Sequence, residues 1–449
     1  MSTISRRSML AGMGLALGGG LFARGAHGAD KTVRRPNFVV IYCDDLGYGD
    51  LGCYGAEKIK TPRLDAMAGE GARFTDFYSC AAVCTPSRAG LLTARYPIRS
   101  GLNKVLFPGS TGGIEDSEIT IAQALKALGY ATGCIGKWHL GHLPPFLPTR
   151  HGFDYYFGLP YSNDMEVKAR KDPPLPLMRN EEIVEQPANQ DLLTKRYTEE
   201  AVRFIREHKD QPFFLYIPHS MPHVPLHVSD SFRGKSGGGL YGDVIEEIDW
   251  SVGQVLDAVK DCGIEENTLV IFSSDNGPWL AKGEHGGNAG PLRMGKGTTF
   301  EGGVREPGIF RWPGHIAAGR VEHAPAITLD LLPTFVALAG GTPPSDRSID
   351  GQNIAPLLLG TGQPSSRDFF FYLLEDLQAM RSGPWKLKRP FKGSVYGKPE
   401  EHPVLLFNLE NDPGEKNNVA EQHPDIVKQL EERMQAFEKG LGAVPETKK

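Results

Sequence analysis

FVVIYCDD, residues 38–45, is an unbroken apolar run that ends in two adjacent carboxylates. A run this short, rich in β-branched and aromatic residues, suits a strand buried on both faces. Three more segments follow the same plan. Ala131–Ile135 leads into Gly136-Lys137-Trp138-His139, and Phe213–Ile217 leads into Pro218-His219-Ser220-Met221-Pro222-His223. Leu269–Phe272 leads into Ser273-Ser274-Asp275-Asn276-Gly277. Helical patterns lie between them. Ile121, Leu125 and Leu128 share a face that Gly129 is placed to end. Ile245, Ile248, Val252, Val255 and Val259 form a longer apolar face. Strands alternating with helices predict an α/β fold with a large, mostly parallel central sheet covered on both sides. Ligands of such sheets bind beyond the carboxyl ends of the strands, where all four polar clusters fall.

The punctuation changes near Pro343-Pro344, with Gly351, Gly360 and Pro364-Ser365-Ser366 beyond. Strand-like pieces at Phe369–Leu373 and Trp385–Lys388 follow, then a helix carrying Ile426, Leu430, Met434 and Phe437. Residues 344–449 therefore read as a smaller C-terminal α+β unit with a short antiparallel sheet, beside a main domain over 30–343. Tyr161–Asn189 is Pro-rich and polar and reads as a long surface excursion. Residues 1–29 read as a twin-arginine export signal: Arg6-Arg7, a Gly-rich apolar run to Phe22, then small residues around Ala26-His27-Gly28-Ala29. That predicts the twin-arginine translocase as a partner and a periplasmic or secreted location. With 54 acidic against 49 basic residues and a net charge of −5, the chain offers no general attraction for nucleic acid.

Asp44, Asp45, Asp275 and Asn276 present only hard oxygen donors, which suit Ca²⁺ or Mg²⁺. Taken singly, each pair is also ordinary turn chemistry. The cysteines include no C-x-x-C pair and no regular framework. Cys84 stands before Thr85-Pro86-Ser87-Arg88. Thr85 is a candidate helix cap, Pro86 suits the first turn, and Ala89–Ala94 continue the helix. Residue 84 would then lie at a helix N-terminus, which favours an anion, with Arg88 nearby. A cysteine phosphatase would need its arginine where Gly90 stands.

Cys84-Thr85-Pro86-Ser87-Arg88 resembles the C-x-P-S-R signature of type I sulfatases. Asp44–Asp50, Gly136–Gly141, Asp275-Asn276-Gly277, Gly295–Gly303 and Phe407–Pro413 resemble further segments of that family in the same order. Together they are closest to its arylsulfatase A and N-acetylgalactosamine-6-sulfatase branch. The resemblance implies an alkaline-phosphatase-like sandwich and a sulfuric ester hydrolase acting on an aryl or sugar sulfate. It implies that Cys84 is oxidised to formylglycine by a separate maturation enzyme. Asp44, Asp45, Asp275 and Asn276, with residue 84, would hold the metal, usually Ca²⁺. Arg88 would hold the aldehyde hydrate, Lys137 and Lys296 the sulfate oxygens, and Ser162 a weaker substrate contact. In the implied mechanism one hydroxyl of the hydrate attacks sulfur, His223 protonates the leaving alcohol, and a covalent sulfated enzyme forms. His139 then takes the second hydroxyl's proton and sulfate is expelled. His219 and His227 lie close enough in sequence to compete with His223 for its role. The rival readings are a formylglycine-dependent phosphonate monoester or phosphodiester hydrolase, and a non-catalytic sulfated-glycan-binding protein with unconverted Cys84.

Overall fold

The opening run forms β1 (Asn37–Cys43), and every residue of it is buried. The computed structural model describes residues 34–363, 366–393, 400–442 and 445–447. The twin-arginine segment lies outside the described residues. Joining β1 in one sheet are β2 (Ala72–Tyr78), β3 (Ala131–Ile135), β4 (Tyr155–Gly158), β5 (Leu177–Arg179) and β6 (Glu182–Glu185). The rest of that sheet is β7 (Phe213–Pro218), β8 (Thr268–Ser274), β9 (Arg305–Arg311), β10 (Arg320–Glu322) and β11 (Ala326–Ile327). The 11 strands run β10-β2-β9-β8-β1-β7-β3-β4-β5-β6, with β11 beside β2. The middle, β8-β1-β7-β3-β4, is parallel throughout. The pairs β2–β9, β8–β9, β4–β5 and β5–β6 are antiparallel.

The helices are α1 (Pro62–Gly69), α2 (Cys84–Thr93), α3 (Ile121–Lys126), α4 (Leu193–His208), α5 (Gly239–Asp261), α6 (Glu301–Val304), α7 (Leu331–Leu338), α8 (Ala355–Leu358) and α9 (Pro424–Gly440). Alternate residues of β1 point to opposite sides of the sheet. Val39 and Ile41 pack with Tyr197 and Ala201 of α4 and with Ile248, Val252 and Val255 of α5. Phe38, Val40 and Tyr42 pack with Leu91 and Leu92 of α2, Ile121 and Leu125 of α3, and Leu332 and Phe335 of α7. Helices on both faces explain why the strand has no polar alternation. A capping box of Thr120 and Gln123 starts α3. The expected stop at Gly129 is a left-handed residue (φ 86°), although α3 already ends at Lys126 and leaves Leu128 beyond it.

Two local expectations are corrected. Helix α2 begins at Cys84, with extended Val83 as its N-cap and no side-chain cap, so Thr85 lies inside the first turn. The Thr85 hydroxyl instead donates to the His139 carbonyl (3.0 Å) and accepts from the Leu106 amide (3.2 Å). The excursion over 161–189 carries the hairpin β5–β6, which extends the main sheet at its edge. Its outer strand leaves Glu182, Ile183 and Val184 exposed, so no buried alternation marks it in the sequence.

A second sheet, ordered β12-β13-β14-β17, is antiparallel: β12 (Asp368–Leu373), β13 (Asp376–Ser382), β14 (Trp385–Lys388) and β17 (Leu405–Asn408). Between the last two, β15 (Phe391–Gly393) and β16 (Glu400–His402) pair as a ribbon. Phe369, Phe371, Met380 and Leu406 of this sheet share a core with Leu430 and Met434 of α9 and with Tyr78, Cys80 and Ala81. The described residues from 35 onward thus hold together as one unit.

The faces of β1 set a stability test. Phe38 is fully buried and stacks on Phe335 with ring centroids 4.3 Å apart. Phe38→Ala should destabilise the protein by about 3–5 kcal/mol. Thr120→Ala, which removes the cap and the hydroxyl's bond to the His151 carbonyl (2.7 Å), should cost less, about 1–2 kcal/mol. Urea unfolding followed by circular dichroism measures both, and equal losses would contradict the layered core.

Candidate active site

The register of the parallel strands brings their polar ends together. Cys43 of β1 lies beside Ser274 of β8, and the ladder continues as the Asp275 amide donates to the Cys43 carbonyl (3.0 Å). On the other side, the His219 amide donates to Tyr42 (2.8 Å) and the Lys137 amide to Pro218 (2.7 Å). Asp44, Asp275, Lys137 and the 218–223 loop therefore leave adjacent strands at one level. Asp45 takes left-handed backbone (φ 66°), a conformation that Asp tolerates better than most residues. This turn directs both carboxylates, with His223, into one buried group whose ligand atoms lie within 4.8 Å of one another. Gly47 follows where a β-carbon would stand 2.2 Å from the Asn288 carbonyl oxygen, so only glycine fits.

Arg88, fully buried on α2, ties the carboxylates together. Its NH2 donates to Asp275 Oδ2 (2.7 Å) and Asp44 Oδ2 (3.0 Å), Nε donates to Asp275 Oδ2 (3.0 Å), and NH1 donates to the Lys137 carbonyl (2.9 Å). Burial opposes its charge, but Asp275 and Asp44 outweigh burial and hold the guanidinium protonated. Lys137 pairs with Asp44 and donates to Ser162 Oγ (2.9 Å). Lys296 pairs with Asp45 at 2.8 Å and lies 4.5 Å from the centre of the Trp279 ring. Burial raises the Asp44 carboxyl, yet Lys137 and Arg88 pull it far below the usual carboxylate range. Burial raises Asp45 to about 7 against the pull of Lys296, and neighbouring Asp44 and Asp275 add to the rise. Asp275 is raised by burial and by Asp44.

Two buried acceptors in this cluster, Asp44 Oδ1 and Asn276 Oδ1, have no hydrogen-bond partner among the described residues. The Asn276 amide nitrogen is committed to Asp45 Oδ1 (2.8 Å) and its own neighbour's carbonyl, which leaves the amide oxygen free to point elsewhere. Buried acceptors are normally satisfied. Two orphaned oxygens among buried carboxylates, with no sulfur or imidazole needed to complete the set, fit a hard divalent cation held by Asp44, Asp45, Asp275 and Asn276.

Cys84 is buried at the start of α2 among these charges. Burial pushes its thiol up to about 11, despite Lys137 and Lys296, so the unmodified side chain is a neutral thiol. His139, again left-handed (φ 61°), directs Nε2 at the Leu106 carbonyl (2.8 Å). A carbonyl can only accept, so Nε2 carries the proton and Nδ1 the lone pair. That Nδ1 is buried and has no hydrogen-bond partner among the described residues. Burial, then Lys137, holds the ring neutral.

The structure separates the three neighbouring histidines. His223 Nε2 lies 3.6 Å from Asp45 Oδ2, and its Nδ1 donates to the Val224 carbonyl (2.6 Å). His219 faces α5, 3.4 Å from Ser251 Oγ, with its pKa lowered to about 4 by burial. His227 pairs with Asp191 at 2.8 Å and is partly exposed. All the predicted site residues, Asp44, Asp45, Cys84, Arg88, Lys137, His139, Ser162, His223, Asp275, Asn276 and Lys296, are buried. Hydrogen bonds and ion pairs link Asp44, Asp45, Arg88, Lys137, Ser162, His223, Asp275, Asn276 and Lys296, and Cys84 and His139 feel the charges of Lys137 and Asp44. Sequence reading missed Trp279, which lies beside both Lys296 and His223, with its ring 5.6 Å from that of His223. It also missed the Thr85 bond to His139. A tryptophan just after the Asp275-Asn276-Gly277 cluster was the one available signal.

The chain is similar to known proteins over most of its length. Residues 36–341 match the family model described as Sulfatase. Residues 293–440 match the model for the C-terminal region of N-sulphoglucosamine sulphohydrolase. Arylsulfatase A of Bos taurus is 44% identical over 446 residues, spanning 88% of this chain and 87% of the relative. N-acetylgalactosamine-6-sulfatase of Homo sapiens is 41% identical over 430 residues, spanning 87% of this chain and 82% of the relative. The crystal structure of a sulfatase from Pseudoalteromonas sp. superposes with a TM-score of 0.85 at 32% identity, covering 92% of each chain. With the parallel sheet, the buried charge cluster at its carboxyl edge and these likenesses together, the chain belongs to the sulfatase family and is an arylsulfatase-like sulfate ester hydrolase.

Proposed function

We propose that the protein cleaves sulfate monoesters of aryl or sugar alcohols, with residue 84 matured to formylglycine and a divalent cation held by Asp44, Asp45, Asp275 and Asn276. One observation carries the reading: Cys84 is buried at the N-terminus of α2, within electrostatic reach of Lys137, Lys296, Arg88, Asp44 and Asp275. A neutral thiol is a poor nucleophile. Hydrated formylglycine supplies two hydroxyls in its place, and the cation supplies positive charge beside the sulfate. The three carboxylates balance Arg88, Lys137 and Lys296 in formal charge, so an anionic ester needs that further positive charge.

Within this site the chain's own residues do the following. Lys137 and Lys296 hold the sulfate oxygens and offset the charge that repels a nucleophile. Ser162 keeps Lys137 in place through their 2.9 Å bond. Arg88 holds residue 84 against the carboxylates. His139, with its lone pair on Nδ1, takes up a proton from residue 84. His223 gives a proton from Nε2 to the leaving oxygen, and Asp45 stabilises the charged ring. Burial and then Lys296 hold His223 well below the ordinary histidine range in the free protein, so the proton it gives must come from solvent as the ester binds. The likeness to an N-acetylgalactosamine-6-sulfatase supports a sugar sulfate as one substrate class. A formylglycine-generating enzyme and the twin-arginine translocase are the proposed partners, and the periplasm or exterior the proposed location.

Peptide mass spectrometry of active protein should show residue 84 with the thiol lost as H₂S and one oxygen gained. Cys84→Ala should fold and lose turnover. Active protein in which every copy keeps the thiol would overturn the reading, and phosphate or phosphonate esters turned over faster than sulfate esters would favour the rival hydrolase.

The histidine assignment has its own signature. A nitrophenolate leaves without a proton and a sugar alkoxide does not. His223→Ala should therefore lose about 10²–10⁴-fold on a sugar sulfate and much less on nitrophenyl sulfate. His139→Ala should impair both alike. The same leaving-group dependence in His219→Ala or His227→Ala, and not in His223→Ala, would move the role to one of them.

A further inference from the structure

The segment Phe407–Pro413 takes no part in the chemistry above. It lies on β17 and in the turn beyond it, and it packs against the loop that carries Lys296. Phe300 of that loop is buried in a small apolar group with Leu405, Phe407 and Leu409. Asp412 closes the turn: its carboxylate accepts from the Lys416 (3.0 Å) and Asn417 (2.8 Å) amides, and its carbonyl accepts from the Glu415 amide (3.1 Å). The closed turn presents Glu415, fully buried and held in left-handed backbone (φ 52°).

Glu415 grips the Lys296 loop at both ends. Its carbonyl accepts from Arg293 NH1 (3.0 Å) before Lys296, and its Oε2 accepts from the Glu301 amide (2.6 Å) after it. The loop is closed at the same place by the Gly302 amide donating to the Arg293 carbonyl (2.8 Å). Arg293 also covers the Phe300 ring, 4.1 Å from its centre. From β14, Lys386 lies 3.1 Å from Glu415 Oε1 and 2.7 Å from Glu301 Oε1, with all three side chains fully buried. Lys388 of the same strand donates to Thr299, inside the loop. Buried ion groups add little stability over apolar packing of the same volume, but they restrict geometry.

We propose that Glu415 is a positioning residue for the sulfatase reaction, clamping the 293–301 loop so that Lys296 meets the sulfate. The second sheet is then part of the active site although it contributes no group to the chemistry. The proposal rests on the assignment of Lys296 to the sulfate oxygens.

The test is a double-mutant cycle on kcat/KM with an aryl sulfate, with thermal unfolding recorded for each variant. Lys296→Ala should cost about 10²–10³-fold. Glu415→Ala should cost about 10²-fold alone, the scale of a displaced catalytic group. In the Lys296→Ala background it should cost less than about threefold, because the group it positions is gone. Glu415→Gln, which keeps an acceptor for the Glu301 amide, should recover part of the loss. A merely structural role would lower the active fraction by the same factor in both backgrounds, and that result would overturn the clamp. If Lys296→Ala costs nothing, the sulfate assignment fails instead. Amide exchange over 295–301 then judges the clamp by itself: faster exchange in Glu415→Ala supports it and unchanged exchange overturns it. If Glu415→Ala does not fold, Arg293→Ala, which takes the guanidinium from the Glu415 carbonyl and from the Phe300 ring, takes its place in the same cycle. Additive losses there would equally overturn the proposal.

Discussion

Arg88 bridging Asp44 and Asp275 is the contact on which the site depends. All three side chains are withdrawn from water, and the bonds run at 2.7–3.0 Å. Separately buried charges of this kind would cost several kcal/mol each. Here each ion meets another at close range because β1 and β8 end side by side and α2 starts directly over them. The same contact places residue 84 at the N-terminus of α2 among the cations. Chemistry, helix position and strand register are thus one constraint: shifting β1 against β8 by one residue would turn Asp44 to the opposite face of the sheet.

Much of this was legible from the chain. Phe38–Tyr42, Phe213–Ile217 and Leu269–Phe272 announced buried parallel strands because helices cover both faces and leave no polar alternation. Their polar ends announced the site, since the topology of such a sheet admits ligands at that edge. What stayed hidden was set by backbone direction. His219, His223 and His227 fall within one loop and look equivalent by residue type. Only the path from β7 sends His219 to α5, His223 to Asp45 and His227 to Asp191. Thr85 looked like a cap because its type and position suit one, but a helix that begins one residue earlier turned its hydroxyl to His139. The β5–β6 hairpin escaped notice because an edge strand facing solvent has no buried period.

The second sheet shows how a segment remote in sequence can bear on a site it never enters. Phe300 and Glu301 follow Lys296 closely, and each is held from the C-terminal side, one by apolar packing with Phe407 and Leu409, the other by Glu415 and Lys386. The loop meets the main body as well, through the Lys296 amide on Pro278 (3.0 Å) and the Gly297 amide on Ala82 (2.9 Å). Lys296 therefore sits on a bridge between the two sheets, and its position responds to both.

On the proposed reading, the oxygen donors of Asp44, Asp45, Asp275 and Asn276, at the ends of β1 and β8, would hold a divalent cation. Calorimetric titration of Ca²⁺ and Mg²⁺ into chelator-stripped protein tests it most directly. One site per chain should appear, should vanish in Asp275→Ala, and should restore sulfatase activity as it fills. Undiminished activity in stripped protein, with no binding of either ion, would contradict it.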